Sequence, residues 1–521
     1  MTDQASPLEA AAAASPGLPP PWHLRRRIVF PLLAVLYPLG LYFLIKAPRP
    51  RRVGKVFAAV FFLPIFCVVA LLPLKPYWKF AGRMKGPVDF SLDLDRLLND
   101  PDARLEAHRA KQEGGTAGSS AAAMELTKLS WTDFRGPARD GVCAGETISL
   151  DWQKDPPREL WRQPIGGGHA SFVVGHGRAY TIEQRRKQEV ITSYDLATGR
   201  ELWATAYDAS FEETLGGNGP RATPTLRGDR LYSLGAQGDL YCVDALSGRP
   251  VWNVNVLRGG VVANLEWGLS GSPLVVDDKV IVTASGKEDP SLFAFHAADG
   301  KPAWTCNAGP QGYTSPMPAT LCGVRQFLNL GGTELRGVDI ATGRILWRHP
   351  WKTYMWINSS QPLPIGGDRL FLSAAYDHGC SVIQLARPAD NWTVKELWFN
   401  NRMKNKFSTC VIYNGHAYGL DEAILCCVDL ETGERRWKGG RYNYGSLLLV
   451  GDHLLVLTEE PADLVLVAAS PEAWKEIGRM PVFKERTWNN FVLIGGRLLA
   501  RNDRWMACYD LRPRESVAAL N

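Results

Sequence analysis

Ten cysteines are scattered along the 521 residues without a CxxC pair, a CxxCH haem-attachment site or a Cys/His cluster at zinc spacing. Covalently attached haem and zinc-finger chemistry are therefore not encoded as motifs. The one adjacent pair, Cys426-Cys427, lies in the strand-like run LCCVDL. Alternation along a strand sends neighbouring side chains to opposite faces, so these are expected to be unlinked packing thiols. Acidic residues are nearly missing from the first 85 positions, which hold twelve Lys/Arg against Asp3 and Glu9, a net of +10. The whole chain carries +6, so the remainder carries −4. A globular part so close to neutral lacks the footprint of a nucleic-acid binder, and none is expected as a partner. What is plentiful is Gly (50) and Trp (18), which favours a β-rich, turn-rich architecture.

The N-terminal region has the composition of a membrane anchor. Residues 28–45 and 56–72 are uncharged runs of eighteen and seventeen residues, each near the minimum for crossing a bilayer. The loop 46–55 between them, KAPRPRRVGK, has five cations and no acid. The long Pro-rich lead and the second run argue against a cleaved signal peptide. The chain is expected to divide into a disordered tail (1–27), two transmembrane helices (28–72), a juxtamembrane segment and linker (73–130), a repeat domain (131–512) and a C-terminal tail (513–521). Within the linker a short helix is expected near Leu94–Lys111, followed by the flexible run GGTAGSSAAA.

Beyond residue 130 the sequence repeats. Five copies read YDLATGRELW (194–203), VDALSGRPVW (243–252), FHAADGKPAW (295–304), VDIATGRILW (338–347) and VDLETGERRW (428–437). In each, a Gly (Gly199, Gly248, Gly300, Gly343, Gly433) sits four residues before a Trp (Trp203, Trp252, Trp304, Trp347, Trp437). An Asp stands eight residues before the Trp in all but the third copy, which has His296. The pattern predicts two strands around a tight turn. The Asp accepts turn N–H groups, the Gly supplies a positive φ, and the Trp packs against an adjacent sheet. Weaker copies end at Trp161 and Trp398, VAASPEAWKEI (467–477) is degenerate, and CYDL (508–511) lacks its Trp strand. Strand 158–163 is expected to pair with 506–511 and close a ring. A second register, small polar residues opening inner strands, runs Ser171, Thr223, Ser272, Ser315, Ser360, Thr409, Ser446 and Asn490. Both registers give eight blades: an all-β, eight-bladed β-propeller with a split closing blade, preceded by the transmembrane hairpin.

These repeats resemble the PQQ-like propeller repeat, D-x-x-T-G-K-x-x-W, over roughly residues 131–512. The family includes quinoprotein dehydrogenases, which use pyrroloquinoline quinone (PQQ) and calcium, and non-catalytic propellers such as the lipoprotein of the outer-membrane barrel-assembly machinery. The run WTDFRGPARDGV (131–142) is similar to the start of many bacterial propellers of this kind. The resemblance implies a bacterial cell-envelope setting, with an anchor in the inner membrane and the propeller on the periplasmic side.

Residues two before each inner-strand start share its face and should line the channel mouth: His169, Arg221, Ser270, Tyr313, Asn358, Phe407, Tyr444 and Trp488. With Glu266, Trp267 and Lys404 of RMKNKFST, they form the candidate surface for a ligand or partner. The nearby acids Glu183, Glu266, Asp421 and Glu422 do not compose the carboxylate–amide set that calcium and a quinone require. No catalytic residue, metal ligand or cofactor is assigned. The leading expectation is a non-catalytic scaffold with the bilayer and a protein on a propeller face as partners. A PQQ- and calcium-dependent dehydrogenase and a small-ligand sensor are the alternatives.

Overall fold

Short apolar runs separated by Gly-rich turns fold into four-stranded antiparallel sheets, and among the described residues there are eight of them. The structure, a computed structural model, describes residues 78–82, 88–92, 100–112, 121–257, 262–285 and 290–514. Inner strands are Val173–Gly175, Thr225–Arg227, Leu274–Val276, Met317–Leu321, Leu363–Gly366, Val411–Tyr413, Ser446–Val450 and Val492–Ile494, for blades 1 to 8. Blade 8 is the expected split blade. Its outer strand Arg158–Pro164 comes from the N-terminal side and pairs with Trp505–Asp510, so the last sheet is tied by both ends of the repeat region.

The Trp residues do more than fill space. Trp161, Trp203, Trp252, Trp304 and Trp398 each reach the outer turn of the following blade. Their indole N–H groups donate to the carbonyls of Leu196, Ala245, Ala297, Ile340 and Leu430 at 2.9–3.2 Å. The rings cover Gly199, Gly248, Gly300, Gly343 and Gly433, where φ is +70 to +74°. An added Cβ at any of the five would lie within 2.8 Å of an atom of the neighbouring blade, in most cases an indole carbon. Glycine is thus required twice, for the turn and for the approach. Asp195, Asp244, Asp339 and Asp429 accept the turn N–H groups as expected. Trp437 donates to Ser470 at the degenerate turn. Trp347 differs. The blade 5 turn is expanded around Pro388–Asp390, and Trp347 instead donates to Gln326 of its own blade.

Apolar clusters fill the spaces between neighbouring sheets. Cys426 belongs to the cluster spanning blades 4–6 and Cys427 to that between blades 6 and 7, so the pair does point to opposite faces, unlinked.

Residues 28–45 and 56–72 lie outside the described residues, and no described helix is long and apolar enough to cross a membrane. Met1–Leu98 forms one unit and Asn99–Asn521 another. In the first, Trp78–Gly82 and Val88–Leu92 pair as an antiparallel hairpin, which the sequence did not suggest. In the second, the expected linker helix spans Pro101–Gln112 and is docked on the propeller. Leu105 is buried, Arg186 pairs with Glu106 at 2.7 Å, and Arg109 pairs with Glu201 at 2.6 Å.

Candidate functional site

The central channel has two unlike ends, with a belt of hydroxyl groups between them. The backbone N–H of Ser171 donates to Thr223 Oγ1, that of Thr223 to Ser272 Oγ and that of Ser272 to Ser315 Oγ, at 2.9–3.0 Å. The chain continues through Gln361, whose Oε1 accepts from Ser315 N–H and whose own N–H donates to Thr409 Oγ1, each at 3.0 Å. On the other side Ser171 Oγ donates to the Asn490 carbonyl at 2.7 Å and Ser446 Oγ to the Asn489 carbonyl at 3.2 Å. Small polar side chains recur here because most of them accept an N–H that the neighbouring inner strand leaves unpaired, and Ser171 and Ser446 donate to carbonyls instead. In blade 5 the belt residue is Gln361 and not Ser360, a correction of one residue.

Below the belt the channel is plugged by the chain's own lead-in, residues 131–142. Trp131 bridges Val174, Thr132 accepts from Leu226 N–H, and Val142 runs parallel to Leu449. The segment therefore crosses the ring from blades 1 and 2 to blade 7. Arg139, fully buried, donates to the carbonyls of Ser272, Pro273 and Pro316 and to Thr225 Oγ1, spanning blades 2, 3 and 4. Arg135 donates to Cys410 and Leu447 carbonyls of blades 6 and 7 at 3.0 and 3.2 Å. Asp133 offsets the buried charge, pairing with Arg139 at 3.2 Å and Arg227 at 2.6 Å. Desolvation pulls the Arg135 guanidinium down to about 10 and lowers that of Arg139 as well.

Above the belt lies a collar of half-buried rings. Trp267 and Tyr313 are 5.6 Å apart between centroids, Phe407 and Tyr444 5.5 Å, Phe407 and Trp488 4.9 Å, and His169 and Trp488 5.7 Å. Two cations sit on this collar. Lys406 Nζ is 4.1 Å from the Tyr444 centroid, 5.0 Å from Phe407 and 5.7 Å from Tyr376. Arg486 lies 4.0 Å over Trp488. Burial lowers the Lys406 ammonium from its ordinary value. Burial, with Arg221 and Arg486 nearby, pushes the His169 imidazole down to about 3, so the ring is neutral at pH 7. Its Nδ1 has no hydrogen-bond partner among the described residues. Arg221 is tied to the carbonyls of Gly217 and Gly219 and lies over Phe211, pinning the loop 208–224 across one side of the mouth.

The structure gathers His169, Arg221, Tyr313, Phe407, Tyr444 and Trp488, all alternation positions, around the mouth, and Trp267, singled out beside Glu266, joins them. Glu266 is also there, exposed at the rim. Two expected residues are elsewhere. Asn358 is buried, donating to the Gly331 carbonyl and accepting Tyr313 N–H on its own carbonyl. The slip from Ser360 to Gln361 explains it, because a one-residue shift exchanges the two faces and gives the mouth position to half-buried Ser359. Lys404 turns to Asp421 and Glu422, 3.7 Å from each, and joins Arg435 and Lys438 around the buried Asp421. Lys406 takes the place at the mouth. Arg486 was legible, being two residues before Trp488, the same alternation step. Tyr376 enters from a hairpin tip and had no such signal.

The donor chemistry does not fit calcium with a quinone. A hard cation takes about six to eight oxygen ligands. Among the described residues no three His, Cys, Asp or Glu converge as a metal site. Glu459 is occupied by the Trp488 indole N–H at 2.7 Å and Tyr444 N–H at 3.3 Å, and Glu183 by Arg185 and the Tyr194 hydroxyl.

A second hollow, about 750 Å³, lies between the helix Pro101–Gln112 and blade 1. Its cations are already paired: Arg185 with Glu183 and Glu201, Arg186 with Glu106, Lys187 with Glu212.

Residues 186–439 match the profile of a family described as outer membrane protein assembly factor BamB. Two curated proteins of that name are similar. That of Moranella endobia is 24% identical over 54% of this chain and 72% of its own length. That of Burkholderia pseudomallei is 23% identical over 48% of this chain and 59% of its length, so just over half of that relative is spanned. Among solved structures, BamB from Moraxella catarrhalis superposes with a TM-score of 0.51 at 14% identity, covering 69% of this chain and 98% of that one. A quinohemoprotein alcohol dehydrogenase from Pseudomonas putida HK5 gives 0.53 at 13% identity, covering 76% and 82%. At such identities the structural likeness speaks for the fold alone.

Proposed function

We propose that this member of the PQQ-like propeller family is a non-catalytic, protein-binding scaffold of the bacterial cell envelope, serving outer-membrane protein assembly. The observation that carries the reading is the asymmetry of the channel. One end is sealed by the chain's own Arg135 and Arg139, and the other presents rings and cations on a rigid belt but, among the described residues, no converging carboxylates. Propeller loops on such a support suit recognition better than cation-dependent redox chemistry. The matched profile and the curated relatives, all named for outer-membrane protein assembly, favour the same class.

The uncharged runs 28–45 and 56–72 support a membrane anchor, and the resemblance to bacterial envelope propellers supports placing it in the inner membrane with the propeller on the periplasmic side. A reporter fused to the C-terminus tests the placement: periplasmic activity is expected, and activity only of a cytoplasmic reporter contradicts it. The scaffold role is tested by affinity capture of the full chain from solubilised membranes. Recovery of outer-membrane assembly components in near-stoichiometric amounts is expected. Their absence from the eluate, with the bait intact, contradicts it.

A further inference from the structure

We propose that the collared mouth receives an acidic peptide segment, its carboxylates pairing with Lys406 and Arg486 and its apolar side chains lying on the ring collar. This rests on the scaffold reading above and names the chemistry of the partner.

The starting observation is an imbalance of charge. Two other places on the propeller where cations gather are matched by acids. The hollow under the helix Pro101–Gln112 is ion-paired throughout, and Lys404, Arg435 and Lys438 converge on Asp421. At the mouth, Lys406 and Arg486 have aromatic faces as neighbours, and neither has a carboxylate within ion-pair distance among the described residues. Glu459, an acid near Lys406, spends its two oxygens on the Trp488 indole and the Tyr444 amide. A cation held on a ring face keeps its outer side free for an anion, and the low-dielectric surroundings strengthen that attraction. The two cations belong to one site, because Trp488 under Arg486 packs on Phe407, which is itself within reach of Lys406.

The collar adds the second half of the ligand's description. Trp267, Tyr313, Tyr376, Phe407, Tyr444 and Trp488 come from six consecutive blades and are all half-buried, so each shows part of a ring to the mouth. The blade 4 to blade 5 connection, on the same face, extends this surface with Tyr354 and Met355, 60% and 52% exposed. A surface that wide exceeds what a small anion covers. It fits an extended segment that alternates acidic and apolar residues, with contacts beyond the channel itself.

The test uses the full chain in detergent and three probes: a fluorescein-labelled decapeptide alternating Glu and Phe, its Lys/Phe counterpart, and benzene-1,3,5-tricarboxylate as a small flat anion. The Glu/Phe peptide should bind saturably and weaken with salt. Lys406→Gln and Arg486→Gln should each reduce its affinity about tenfold while leaving thermal unfolding in place. Equal binding of the Lys/Phe peptide, or no effect of either substitution, overturns the proposal. So does a tricarboxylate that binds as tightly as the peptide, which would make the mouth a small-anion site. If the membrane capture still recovers assembly components with the doubly substituted chain, the scaffold reading stands and this mouth proposal fails alone.

Discussion

The Trp203 indole lies directly on Gly248 of the next blade: a Cβ on that glycine would be 2.6 Å from the ring, while the indole N–H donates to the adjoining Ala245 carbonyl at 3.0 Å. One relation of this kind joins five of the eight neighbouring blade pairs, missing between blades 4 and 5 where Trp347 turns to Gln326, so the ring is held by the same contact many times. Gly248→Ala strains a residue at φ +74° and forces the indole away. A loss of about 2–4 kcal/mol is expected in urea unfolding, from the left-handed backbone and the overpacking together. Gly451→Ala, at a positive-φ turn with open space beside it, should cost only the backbone part.

The buried plug is expected to behave as a unit. Arg139→Met leaves the Asp133 carboxylate with Arg227 as its remaining ion-pair partner and removes a donor from the Ser272, Pro273 and Pro316 carbonyls and from Thr225 Oγ1. Destabilisation of about 3 kcal/mol is expected, and Asp133→Leu in the same chain should recover part of it. Strict additivity of the two losses in a double-mutant cycle would show that they do not act together.

Helix Pro101–Gln112 is docked mainly by exposed ion pairs and a single buried Leu105. Such pairs are worth about 0.2–1 kcal/mol each and are screened by salt. Hydrogen exchange of residues 101–112 should therefore speed up between low salt and about 0.5 M, where the screening length is a few ångström. Arg186→Gln should give the fast exchange at low salt. Exchange indifferent to both would contradict an electrostatic dock.

Acid should weaken the propeller through His169. Its folded-state value of about 3 lies below the ordinary 6.5, so between those limits the unfolded chain binds the extra proton. Stability falls as pH drops through that window and is unaffected by this group above it. His169→Gln should flatten the dependence of the urea midpoint between pH 7 and pH 4. An unchanged slope would mean that His169 titrates normally in the folded protein.

Most of the architecture was legible because its determinants are local. The Asp, the Gly and the Trp of each turn stand within nine residues, and the split blade declared itself through complementary missing strands at Trp161 and Cys508. The mouth was legible only as far as alternation held. It failed at Asn358, where Gln361 takes the belt position one residue late, and the cationic run 402–409 pointed to Lys404, which an interior Asp421 draws away, in place of Lys406. The plug was not legible at all. Arg135 and Arg139 find their partners in carbonyls of four blades and a hydroxyl of a fifth, brought together only once the ring closes.

The most direct measurement is a titration of the purified full chain with pyrroloquinoline quinone and calcium, followed by an assay with an artificial electron acceptor and a panel of alcohols and sugars. For a scaffold whose mouth lacks converging carboxylates, no saturable quinone binding and no dye reduction are expected. Saturable binding accompanied by substrate-dependent dye reduction would contradict the non-catalytic reading and make the chain a quinoprotein dehydrogenase.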